Sequence, residues 1–148
     1  MVTTVGMETS VDELLEDLIA LDHDAADAYQ AAIERIENAS RREPLTRFRE
    51  DHLRHTRELG DLLAARGRTP PEGGDVKSLL TTGKVAIAGL AGADAILEAM
   101  RTNEADTNTA YERALAFEGI DAATRQVFER GLADERRHCA WILEQLGR

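Results

Sequence analysis

Cysteine is almost missing from this 148-residue chain, in which Cys139 stands alone. That excludes an intrachain disulfide framework and a cysteine-rich zinc site, and it points to a reducing, cytoplasmic setting. Positive charge is also scarce. Lys and Arg total 18 against 28 Asp and Glu, a formal net charge of −10, so there is no basic footprint for nucleic acid or anionic lipid. No stretch approaches the roughly 18 uninterrupted apolar residues that cross a membrane. The opening MVTTVGMETS has neither the basic nor the apolar segment of a secretory signal. An unsecreted chain with no nucleic-acid or membrane partner is therefore expected. Aromatics contribute only 4% of residues, so the core must be built mainly from small and aliphatic side chains.

What is abundant is Ala, Leu, Glu, Asp and Arg, the composition of packed helices. The length is that of one domain able to bury roughly 70% of its unfolded surface, and residues 1–148 are read as a single unit. Ser10-x-x-Glu13 forms a capping box that starts a first helix over about 10–38. Leu15, Leu18, Asp22, Ala25, Tyr29, Ala32 and Ile36 recur along it at steps of three and four, the apolar seam of a bundle helix. Pro44 suits the first turn of a second helix over about 44–66, whose seam is Leu45, Phe48, His52, His55, Leu59 and Leu62.

The stretch RTPPEGGD is too rich in Pro and Gly for regular structure. A short crossover helix over about 76–90 follows, with Val76, Leu80, Ile87 and Leu90 on one face and an interruption at Gly83. That face could support a homodimer or pack on its own bundle. Asp94 can cap a helix over about 94–118 with the seam Leu97, Met100, Glu104, Thr107, Tyr111 and Ala114. Asp121 then caps the last, over about 122–146, with Phe128, Gly131, Glu135, His138 and Ile142 inward.

The two halves resemble each other. Superposing Asp22 on Glu104 also aligns Leu15 with Leu97, Leu18 with Met100, Asp24 with Asp106, Ala28 with Ala110 and Tyr29 with Tyr111. Asp22 precedes His52 by 30 residues and Glu104 precedes Glu135 by 31, so each hairpin should bring its central polar groups to similar depth.

Asp22, His52, His55, Glu104, Glu135 and His138 interrupt otherwise mainly apolar seams near mid-helix, so they should converge. Residues three apart share a helical face, and His52-x-x-His55 and Glu135-x-x-His138 can each aim two side chains at one point. Carboxylates can bridge divalent cations and neutral imidazole suits iron, zinc, copper and nickel, so the mixture favours a transition metal over calcium. An isolated buried ion costs several kcal/mol, whereas a whole domain is stable by only about 5–15 kcal/mol; such a cluster needs strong mutual compensation. A metal supplies it. The rival is a metal-free network in which carboxylates and histidinium groups balance one another. A frame pairing His55 with Glu58 is disfavoured because Leu59 fills the next seam position.

These residues resemble the ferritin-like superfamily of di-iron carboxylate proteins, nearest its small bacterial domains of unknown function, over about residues 10–146. The resemblance implies an all-α four-helix bundle of two hairpins joined by a long crossover. The superfamily pattern is a Glu on each of the first and third bundle helices and Glu-x-x-His on each of the second and fourth. Glu104 and Glu135-x-x-His138 match it, Asp22 stands for the first Glu, and His55 keeps the histidine role. His52 departs from the pattern. By this resemblance Asp22 and Glu104 are terminal ligands, Glu135 bridges, His55 and His138 each serve one metal, and His52 is an added ligand in a bridging position. Four ligand carboxylates become three, which leaves two divalent ions with a net +1 before any oxo or hydroxo bridge is counted. The implied cofactor is a pair of transition-metal ions, iron first, with zinc or manganese and a mononuclear site as alternatives. Oxygen or peroxide would be the partner of a redox centre. A large iron-storing cage is not expected, because the chain stops soon after the fourth bundle helix.

Tyr29 and Tyr111 lie two turns beyond Asp22 and Glu104, and helical side chains lean toward the N-terminus, so each phenol can reach back toward the ligands. The plainer alternative is a pair of core tyrosines with ordinary hydrogen-bond partners. His23 and Cys139 each sit one step off a seam and are left out of the site. Asp24, Asp27 and Asp106 could guide cations to the site, but the favoured reading is surface residues that keep the helices solvated. Three function classes follow: an oxygen- or peroxide-dependent di-metal protein, a non-redox iron or zinc binder, and a metal-free structural or stress-associated bundle.

Overall fold

A computed structural model describes residues 3–72, 80 and 83–148, and every regular element among them is helical. They are α1 (Val11–Arg35), α2 (Ala39–Ala65), α3 (Lys84–Ala88), α4 (Ala93–Leu115) and α5 (Ala122–Gln145). Helix α1 packs along α2, and α4 along α5; α1 also meets α3 and α4, while α2 meets α5. The result is an all-α bundle of two hairpins. No helix among the described residues is long and apolar enough to cross a membrane.

Local chemistry explains most of the boundaries. Ser10 caps α1 by accepting from the Glu13 N–H at 3.2 Å. The Glu13 carboxylate reaches past Ser10 to the Thr9 N–H at 3.2 Å, so the capping box closes one residue earlier than its pattern suggests. Helix α1 ends at Arg35 and α2 already begins at Ala39, capped by Asn38, whose side chain accepts from the Ser40 N–H at 2.9 Å. The expected start at Pro44 is therefore corrected. Pro44 lies inside α2, where its missing N–H forgoes one ladder bond near the solvent-facing start of the helix. Asp94 does not cap α4 either. Gly92 holds that position with φ 91°, a left-handed conformation open to glycine, and Asp94 falls in the first turn. Asp121 caps α5 as expected, accepting from Thr124 N–H at 2.8 Å.

Of the crossover helix expected over about 76–90, the described residues show only α3, and 76–79, 81 and 82, Val76 among them, lie outside them. Gly83 and Gly89 bound α3 to five residues. Leu80 and Ile87 are buried, and α3 packs against α1 of its own bundle.

The seams hold. Leu15, Leu18, Ala25, Tyr29, Ala32 and Ile36 are buried on the first half, and Leu97, Met100, Thr107, Tyr111 and Ala114 on the second. In α2 the final inward position belongs to Leu63 rather than Leu62, which is only half-buried. Between these apolar layers lies a polar one.

Candidate metal centre

Asp22 on α1, His52 and His55 on α2, Glu104 on α4, and Glu135 and His138 on α5 all meet in that layer, none more than 2% exposed. All six expected residues are thus brought together. They form two groups that share His52 and Glu135. Asp22, His52, His55 and Glu135 make one; His52, Glu104, Glu135 and His138 make the other; either could hold a metal ion.

In the first group Asp22 Oδ1 lies 2.7 Å from His52 Nδ1 and 3.1 Å from His55 Nδ1. Glu135 Oε1 closes it at 3.5 Å from His52 Nδ1 and 3.4 Å from His55 Nδ1. In the second, Glu104 Oε1 is 3.6 Å from His52 Nε2 and 3.5 Å from His138 Nδ1, with Glu135 Oε2 3.7 Å from the same nitrogen. Glu135 therefore presents one oxygen to each group.

Four buried side-chain polar atoms among the described residues make no hydrogen bond: His52 Nε2, His138 Nδ1 and both carboxylate oxygens of Glu135. An unsatisfied buried polar group costs about 1–3 kcal/mol, and more when charged. These four are donor atoms of the paired groups. With metal–ligand bonds of about 2.0–2.2 Å, the ligand atoms of a tetrahedral ion stand roughly 3.3–3.6 Å apart. Separations of 3.4–3.7 Å around Glu135 and His138 are long for hydrogen bonds and close to that edge. The residues present fit a metal.

Carboxylates hold the outer imidazole nitrogens. His138 Nε2 lies 2.9 Å from Asp51 Oδ2 on α2, and His55 Nε2 lies 3.0 Å from Asp134 Oδ2 on α5. Each aspartate fixes the Nε2–H tautomer of a histidine on the opposite helix and turns its Nδ1 inward, the arrangement that orients metal-ligating imidazoles. Arg54 pairs with both Asp51 and Asp134, and so does Arg137. Sequence reasoning missed Asp51 and Asp134, although a doubled Asp-x-x-x-His spacing, Asp51 to His55 and Asp134 to His138, was present to find.

The tyrosines cross over in the same way. Tyr111 donates to Asp22 Oδ2 at 2.7 Å, and Tyr29 donates to Glu104 Oε1. Each phenol reaches a carboxylate of the other hairpin rather than of its own helix. Burial and the adjacent carboxylate raise both phenols well above their ordinary value, so they remain donors. Thr107 Oγ1 lies 3.2 Å from Glu104 Oε2, and the Asn108 amide bonds the carbonyls of Glu104 and Glu135, tying α4 to α5 at this level.

Burial alone would push the imidazoles down. For His52, attraction to Glu135 and contacts with Asp22 and Glu104 override it and hold the ring at about 9. His138 is raised to about 11 by Asp51, Glu104 and Glu135 against the same desolvation, and His55 is also well up beside Asp22 and Asp134. Asp22 and Glu104 move the other way. Burial would raise them, but Asp22 is held down by His55 and His52, and Glu104 by His138 and His52. The metal-free centre is thus protonated on its histidines and ionised on these carboxylates.

His23 stays out of the cluster, and Cys139 is half-buried beside it. Asp27 is exposed, as expected of a solvating residue, but Asp106 is only 5% exposed and does not belong to the surface. Its alignment with Asp24 did not carry that information.

The fold and the site define a class: an all-α bundle with a buried carboxylate–histidine cluster that could hold metal. Residues 10–117 match the family described as "Domain of unknown function (DUF2383)", and the chain belongs to that family. No curated protein matches the chain. No solved structure matches it either.

Proposed function

We propose that the chain is a ferritin-like protein, one domain over residues 1–148, whose buried cluster holds two transition-metal ions for oxygen- or peroxide-dependent redox chemistry. The observation that carries this reading is the set of orphaned donors on His52, Glu135 and His138. Burying them without a hydrogen bond opposes folding, and a cation between them removes the penalty. The hairpin pairing supports the ferritin-like assignment, as do the central carboxylates on α1 and α4 and the inward i, i+3 pairs on α2 and α5.

In this reading Asp22 and His55 hold one ion, Glu104 and His138 the other, and Glu135 offers an oxygen to each. Asp51 and Asp134 set the imidazole tautomers. Tyr29 and Tyr111 keep Glu104 and Asp22 oriented by donating hydrogen bonds to them. When bound, redox-active ions would supply the electrons for reducing oxygen or peroxide. Iron suits this role and this donor set; manganese, also redox-active, would suit the same mixture of oxygen and nitrogen donors, and zinc would suit it without redox chemistry.

A metal-free structural bundle draws support from the opposite shifts of the histidines and of Asp22 and Glu104, which let the cluster balance charge internally. The orphaned donors count against it, since a purely structural network is expected to pair its buried atoms. The deciding experiment loads the protein anaerobically with ferrous iron and then admits oxygen or peroxide. New absorption from oxidised iron, formed faster than in protein-free buffer, is expected. Bound iron with no spectral change would reject redox function and leave a non-redox metal binder.

A further inference from the structure

His52 enters the two groups with a different nitrogen for each. Nδ1 faces Asp22 Oδ1 at 2.7 Å and Glu135 Oε1 at 3.5 Å, while Nε2 faces Glu104 Oε1 at 3.6 Å and makes no hydrogen bond. Its ring is fully buried. Tyr29 lies 5.4 Å from it, His138 5.2 Å and His55 5.6 Å, centroid to centroid, so aromatic rings stand around it. His55 and His138 differ from it in kind. Each spends its outer nitrogen on an aspartate and has only Nδ1 for the interior.

The charge of the cluster points the same way. Asp22, Glu104 and Glu135 carry three negative charges against the four positive charges of two divalent ions, which leaves a buried +1. Net buried charge is costly. An imidazole bound through both nitrogens has lost both ring protons and carries −1, which brings the centre to neutrality.

We propose that His52 is a bridging ligand, with Nδ1 on the ion held by Asp22 and His55 and Nε2 on the ion held by Glu104 and His138. The proposal rests on the two-metal reading above. With Glu135 as the second bridge, each ion then meets two oxygens and two nitrogens from this chain. On binding, each ring nitrogen gives up any proton it carries to solvent, two metal–nitrogen bonds form, and no electron is transferred. Such a donor set takes divalent first-row ions with nitrogen affinity rather than magnesium or calcium.

Copper(II) is the probe, because one unpaired electron per ion makes the bridge visible in electron paramagnetic resonance and copper binds nitrogen–oxygen sites tightly. The metal-free protein is titrated with copper(II), and binding is followed separately by equilibrium dialysis. For the wild type, the frozen-solution signal should grow over the first equivalent and be lost over the second, as the two spins couple through the ring. In His52→Gln, which keeps Glu135, any copper bound should retain its full signal. Two bound coppers in the wild type with the full signal of independent spins would overturn the bridge while leaving the metal reading intact. Quenching that persists in His52→Gln would also overturn it, by assigning the coupling to Glu135. A single bound copper excludes the pair and its bridge together. No bound copper would sink the two-metal reading itself.

Discussion

The Asp51 carboxylate on α2 lies 2.9 Å from Nε2 of His138 on α5. The reciprocal contact, Asp134 on α5 to His55 on α2, spans 3.0 Å. The two helices are thus joined by a matched pair of aspartate–histidine bonds. Outward binding of both imidazoles on Nε2 is what leaves both Nδ1 atoms facing the interior.

Removing one of these carboxylates should weaken the centre without dismantling it. Asp51→Asn and Asp134→Asn are expected to lower metal affinity by about 10–100-fold, the usual effect of losing an outer partner of a metal-bound histidine. Competition with a chelator of known affinity measures it, and circular dichroism checks that the helices persist. Unchanged affinity in both variants would separate the aspartates from metal binding.

Tyr111→Phe should destabilise the metal-free protein. Its hydroxyl is the partner of Asp22 Oδ2 at 2.7 Å, and a buried acceptor left bare costs about 1–3 kcal/mol. Urea denaturation gives the difference. A variant as stable as the wild type would show that the cluster reorganises to serve Asp22 by another route.

Two glycines inside helices make opposite predictions. A Cβ on Gly131 would lie 2.5 Å from Cε1 of Tyr111, whereas one on Gly60 would meet Pro70 at an ordinary 3.5 Å. Gly131→Ala should cost about 1–3 kcal/mol through overpacking and push the Tyr111 phenol off Asp22. Gly60→Ala should be neutral or gain about 0.4–1 kcal/mol by lowering the entropy of the unfolded chain. Thermal and denaturant unfolding of the pair checks both signs. A stable Gly131→Ala variant would show that the ring can move aside at little cost.

Acidity should act in opposite directions on the metal-free and metal-bound forms. His52 and His138 are raised from an ordinary 6.5 to about 9 and about 11. A raised folded-state value contributes stability that is full below about pH 6.5 and is lost as pH climbs through the folded values. Asp22 and Glu104 are depressed, so their contribution is present above the ordinary carboxylate range and is lost in acid. The metal-free protein should therefore be most stable in mildly acidic solution and weaken toward pH 10. Metal must displace the histidine protons, so the thermal shift on adding zinc should grow from pH 6 to pH 8. A zinc shift that shrinks over this interval would contradict the ligand assignment.

Much of this arrangement is legible in the sequence because helical periodicity is strict. Once Leu15, Leu18, Tyr29 and Ile36 define an inward seam, Asp22 must share it, and the same reasoning places Glu104, Glu135 and the three histidines. Boundaries were less legible. Pro44 reads as a first-turn residue, but Asn38 supplies a side-chain cap and α2 accommodates the proline one turn further in. Among the described residues Gly83 and Gly89 confine α3 to Lys84–Ala88, although Leu80 and Ile87, whose spacing suggests one continuous apolar face, are both buried. Asp51 and Asp134 were missed for a different reason: each lies one position off its seam, where an acidic residue ordinarily faces water. Only the approach of α2 to α5 turns that off-seam position into a bond to the facing histidine, and such an approach is a tertiary fact that no single-helix pattern contains. The crossed tyrosines were half-legible in the same sense. Their lean toward the carboxylate layer follows from helix geometry, whereas the choice of the opposite hairpin's carboxylate depends on packing.

The most direct test of the central claim is elemental analysis of protein purified, without metal added during purification, from cells grown with iron and zinc. The account predicts two transition-metal ions per chain, reduced to one or none in Glu135→Ala, the variant that removes an oxygen from each group. Wild-type protein that carries no transition metal, and takes up none when supplied with ferrous iron or zinc, would contradict it.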